Sequence, residues 1–142
     1  MSTDPYHLHR FLEAQSALWD SVLTELRAGN KTSHWMWFVF PQLAVLGRSS
    51  TARFYGISGM EEARAYLSHA VLGPRLLHCC ELLLASGTRR AVDVFGEVDA
   101  MKLRSCLTLF ASAAPEEPAF KRCLAHYFDG EADALTLQHL GL

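Results

Sequence analysis

Residues that start and stop helices punctuate this chain throughout, and no stretch between them alternates apolar and polar residues as a half-buried strand would. Asp4-Pro5 joins a capping oxygen to a proline suited to a first helical turn. The spacing predicts a helix to about Gln15 and a second over about Ser16 to Arg27. The second carries Leu18, Trp19, Val22, Leu23 and Leu26 on one face and stops at Ala28-Gly29-Asn30. Ser49 is placed to cap a short helix through Tyr55, closed by Gly56. Ser58-Gly59-Met60-Glu61 reads as a capping box opening a helix with Met60, Ala63, Tyr66 and Leu67 inward. Gly73-Pro74 opens a leucine-rich helix to about Ser86, stopped by Gly87, and Thr88 caps a shorter one ending at Phe95-Gly96. Asp99 caps the next, to about Ala113, and Glu117 to Phe128 and Asp133 to Leu140 complete the series. The expectation is an all-α fold of about seven to eight helices, one domain over residues 1–142.

One segment resists this reading. His34-Trp35-Met36-Trp37-Phe38-Val39-Phe40 is too short and too apolar for periodicity to separate a helical turn from a buried strand, although Pro41 must end it. Half of the residues are hydrophobic and 20% are charged, enough apolar matter for a core and no signature of disorder. A formal charge of −2 argues against nucleic acid as a partner. The start of the chain lacks the basic and apolar regions of a signal peptide, and no apolar run approaches a membrane span of roughly 20 residues. Cys79, Cys80, Cys106 and Cys123 have neither a redox nor a zinc spacing and sit among apolar neighbours. These features point to core thiols, the reducing cytoplasm and no membrane.

Three anomalies mark candidate functional residues. The run Lys31 to Gln42 sets Trp35 and Trp37 in an aromatic wall flanked by Lys31, His34 and Gln42, a combination able to stack a ring and hold an anion. A densely packed core segment is the alternative. Counting 100° per residue after Asp99 puts Val98, Cys106, Leu109, Phe110 and Ala113 on one face with Lys102 among them, and Arg104 and Thr108 opposite. A lysine there must snorkel, pair with a carboxylate or meet a ligand; Ser105 lies on the same edge. Third, Arg75 follows Gly73-Pro74 in a first helical turn, where it opposes the helix dipole. Free backbone N–H groups beside a guanidinium would suit a phosphate or carboxylate, unless Arg75 is a surface residue paired with an acid.

No phosphate-loop, dinucleotide, nucleophile-elbow or zinc-protease motif occurs, so nothing names a cofactor. His7 and His9 diverge by about 200° on a helix, which argues against a metal site. The ligand expected is an anionic, ring-bearing small molecule such as a nucleotide or ADP-ribose-like compound, bound by Lys31, His34, Trp35, Trp37, Gln42, Arg75, Lys102 and Ser105, with Lys31, His34, Trp35, Trp37, Arg75 and Lys102 lining one common pocket. Should it be processed, His34, Lys102 and Asp99 are the candidate catalytic groups. The competing expectation is a protein-interaction module or homodimer using the aromatic segment; the oligomeric state stays open.

The run Lys31-Thr32-Ser33-His34-Trp35-Met36-Trp37-Phe38-Val39-Phe40-Pro41-Gln42 resembles the bacterial domain-of-unknown-function 1810 family. Gly47 and Ser49, Tyr55-Gly56-Ile57, Leu72-Gly73-Pro74-Arg75-Leu76, Phe95-Gly96, Asp99, Lys102-Leu103, Ser105 and Thr108-Leu109-Phe110 continue the resemblance. It implies a compact helical domain and no particular activity. Ala44-Val45-Leu46 stands where that family often has glycine, and Cys106 where a second serine is common. Some members carry the label calpastatin, but calpain-inhibitory regions are polar and largely disordered, whereas this composition builds a core.

Overall fold

A computed structural model describes residues 3–87 and 90–142. The chain is all-α: eight helices among the described residues are α1 (His9–Ala28), α2 (Met36–Val39), α3 (Ser50–Phe54), α4 (Met60–Ser68), α5 (Leu72–Ala85), α6 (Ala91–Ala113), α7 (Pro118–Phe128) and α8 (Ala134–Leu140). A 3-10 turn at Ala44–Leu46 precedes α3. Helix α6 packs on α4, α7 and α8, while α5 packs on α1, α4 and α7, so α4 and α7 bridge the two. Phe11, Tyr66, Leu76, Phe110 and Phe120 are fully enclosed between them.

Several starts fall where local chemistry requires them. Ser49 Oγ accepts the Ala52 N–H, Glu117 the Ala119 N–H and Asp133 the Thr136 N–H. Asp4 also caps, accepting from the Leu8 and His9 N–H groups, but from one turn upstream, and α1 begins at His9. Where two helices were expected before Gly29, α1 is continuous, because Gln15 and Ser16 carry no helix-breaking chemistry. Glu62 rather than Glu61 reaches back to the Ser58 N–H. Helix α5 begins at Leu72, ahead of Gly73-Pro74, because His69 Nδ1 accepts the Val71 and Leu72 N–H groups. The cap expected at Thr88 lies outside the described residues.

Segment 34–40 settles as a helical turn, α2, followed by a single parallel bridge between Leu43 and Ile57. There the Ala44 N–H donates to Ile57 O and the Ile57 N–H to Gln42 O, each at 2.8 Å. Gly56 permits this approach, since a Cβ would lie 2.2 Å from Ala44 Cα.

Helix α6 kinks at Gly96, whose φ of 78° and ψ of 170° are closed to residues with a side chain. Asp99 therefore lies inside the second half of α6 rather than capping it. From Leu103 to Ala113 that half is buried on almost every side, Thr108 included, whereas Val98 is exposed. The expected polar face at Thr108 is absent because α8 covers it: Thr108 Oγ1 accepts the Asp133 N–H at 2.8 Å. All four cysteines are free and buried where α5, α6 and α7 meet.

Candidate functional site

Two polar residues of α1 hold the aromatic segment from beneath. Glu25 accepts hydrogen bonds from the Thr32 N–H (2.7 Å), the Ser33 N–H (2.8 Å), Ser33 Oγ (2.7 Å) and Trp35 Nε1 (3.1 Å). Burial alone would raise its pKa, but the donors from Ser33, Thr32 and Trp35 outweigh burial and hold the carboxyl below its ordinary value. Gln15 Nε2 donates to Phe38 O at 2.6 Å and to the Tyr66 hydroxyl at 2.9 Å. Gln15 and Glu25 were not anticipated, yet both lie on the apolar stripe of Phe11, Leu18, Val22 and Leu26. The signal that exposed Lys102, a polar residue among apolar ones, was present in α1 as well.

Between the α2 turn, the start of α3, the second half of α6 and the start of α8 lies an open cleft of about 520 Å³. Trp37, Gln42, Lys102 and Ser105 line it, joined by Arg48, Arg104 and Asp133. Leu46, Val98, Met101 and Leu135 supply an apolar floor and rim. Lys102 Nζ stands 5.1 Å from the Trp37 ring centroid and 3.6 Å from Asp99 Oδ1. Arg104 is engaged, its Nε donating to Glu131 O and its Nη2 to Ala132 O. Asp133 caps α8, and the Ser105 hydroxyl donates to Met101 O of its own helix. By contrast the Trp37 indole N–H, the Gln42 carboxamide and the Arg48 guanidinium have no hydrogen-bond or ion-pair partner among the described residues.

The remaining expected site residues are elsewhere. Trp35 is fully buried and bound to Glu25. Lys31 lies behind the cleft, its Nζ 2.9 Å from Asp99 Oδ2 and 2.6 Å from Ser33 O, and 5.0 Å from the Trp35 ring. His34 is exposed and outside the cleft. Arg75 belongs to the α1–α5 interface, its guanidinium 4.7 Å from the Trp19 ring centroid and its Nη1 3.4 Å from Gln15 Oε1. Its backbone N–H is already bound to Val71 O, so no free helix start accompanies it. The expected single pocket is thus not formed: Trp37, Gln42, Lys102 and Ser105 share the cleft, while Lys31, His34, Trp35 and Arg75 lie outside it. Among the described residues no three histidine, cysteine or acidic side chains are grouped to hold a metal, and no helix is long and apolar enough to cross a membrane.

Fold and cleft define a small all-α protein with a partly cationic, partly aromatic recess. A family model described as a protein of unknown function (DUF1810) matches residues 5–140, and the chain belongs to that family. It is similar to the conserved hypothetical protein Rv1873 of Mycobacterium tuberculosis, known from a crystal structure. The two are 48% identical over 98% of this chain and 99% of that one, with a TM-score of 0.95. No curated protein matches.

Proposed function

We propose that this protein binds an anionic, ring-bearing small molecule, of nucleotide or ADP-ribose-like class, in the cleft beside Trp37. The observation that carries the reading is the set of polar groups left without partners among the described residues around one half-buried tryptophan: its own N–H, the Gln42 carboxamide and the Arg48 guanidinium. An indole face suits a ring, and a carboxamide that both donates and accepts suits a heterocycle's edge. Arg48 and Lys102 suit an acid. The cleft lining carries Arg48, Lys102 and Arg104 against Asp133, with Asp99 beside Lys102 and Glu131 beside Arg104, so that Arg48 is the cation without an acidic partner among the described residues; the cleft volume falls in the range of roughly 300–1,000 Å³ usual for small ligands. Ser49 and Ser105, both in the cleft lining, hydrogen-bond no histidine or carboxylate among the described residues, and His34 stands apart, so the reading is of binding rather than chemistry.

The test is thermal unfolding with AMP, ADP-ribose and pyrophosphate. Stabilisation that rises with ligand concentration and is largely lost in Lys102→Met is the expected result; no shift with any of the three sinks the reading. A second reading has its own support: Val98, Met101 and Leu135, which are 68, 71 and 56% exposed, border the same cleft and would suit a protein partner or a second copy. Light scattering decides it, since an interface there requires a complex of the wild type that Met101→Glu dissociates.

A further inference from the structure

Resting on the cleft reading, we propose that Asp99 is the internal counter-anion of the cleft: an acidic ligand takes Lys102 from it by exchange, and Lys31 is the positioning residue that holds Asp99 back. The two lysines grip different oxygens of one carboxylate, unequally. Lys31 Nζ stands 2.9 Å from Oδ2, a close ion pair, whereas Lys102 stays 3.6 Å from Oδ1, a looser one. The Lys31 side chain is only 7% exposed and is fixed further by Ser33 O, while the Lys102 side chain is 23% exposed and lines the cleft. Backbone pairing of the Lys31 N–H with Val94 O, just before the Gly96 kink, ties the loop to α6. Asp99 and Lys31 therefore form a closed pair, and Lys102 is the cation free to change partners. Without ligand, Asp99 screens two lysines from one another. With ligand, it remains neutralised by Lys31 and does not follow Lys102.

The consequence has an unusual sign: removing Asp99 should improve binding. Calorimetric titration with AMP and with pyrophosphate should show Asp99→Asn binding about two- to fivefold more tightly than wild type. Lys31→Met should bind more weakly by a similar factor, because the released carboxylate closes on Lys102, and Lys31→Arg should restore affinity. A general charge effect would tighten binding by Asp99→Asn in a Lys102→Met background too, whereas exchange predicts no gain there. Misfolding cannot imitate the tightening by Asp99→Asn, so that variant decides even where Lys31→Met is unstable. Binding that is lost in Lys102→Met yet indifferent to Asp99→Asn, or tightened equally in both backgrounds, overturns the exchange and spares the cleft reading. No binding of either probe to wild type overturns both.

Discussion

Trp35 and Trp37 are two residues apart in one helical turn and differ in almost every physical respect. Trp35 is fully enclosed, packed edge-on to Phe95, with its N–H bound to Glu25. Trp37 is half-buried, faces Lys102 and has no partner for its N–H among the described residues. Two positions along the chain, roughly half a helical turn, thus separate a tryptophan that builds the core from one left available at the surface. Hydrogen-bond satisfaction distinguishes the two roles where residue type cannot.

The two tryptophans should respond unequally to truncation. Trp35→Ala should cost roughly 3–5 kcal/mol in urea unfolding, since it opens a large cavity and frees a buried acceptor. Glu25→Ala should follow at roughly 2–3 kcal/mol, because its donors lose their acceptor. Glu25 also carries a pH signature. Its folded pKa lies below the ordinary 4.5, so its contribution is intact above that value and lost as pH falls through the lower, folded one. Wild type should therefore lose stability on acidification below about pH 4.5 more steeply than Glu25→Ala. Trp37→Ala should cost about 1–2 kcal/mol, in keeping with partial burial, and Lys102→Met no more than about 0.5 kcal/mol. Read by AMP affinity instead of urea, the order should reverse, with Lys102→Met and Trp37→Ala losing most.

The cap at Ser49 was legible in the sequence because a cap is a local event, and Glu117 and Asp133, read as the starts of their helices, likewise bond to a backbone amide within three residues; the cap expected at Asp99 failed because the chain is already helical there. The continuity of α1 was not, and dividing it at Gln15 concealed that Gln15 and Glu25 share its buried stripe. Trp37, Gln42, Lys102 and Ser105 were singled out for independent oddities and do share the cleft. Lys31, Trp35 and Arg75 were equally odd, but long-range partners in the fold account for them: Asp99, Glu25 and Trp19. A single sequence shows that a charge or an indole N–H needs a partner. Which partner it finds depends on helices packing across tens of residues, and no local pattern encodes that.

The cysteines have a practical consequence. All four are buried, burial pushes the Cys79 thiol up to about 12, and the Cys123 thiol donates to Cys80 O across the α5–α7 contact. Thiols so placed are inert to an alkylating reagent until the helices around them part. The native chain therefore contains an unfolding clock that requires no introduced probe. Mass spectrometry of a timed labelling reaction would read it: four adducts acquired together signify a core that opens as one cooperative body, whereas early labelling of Cys80 and Cys123 alone signifies that α7 detaches first.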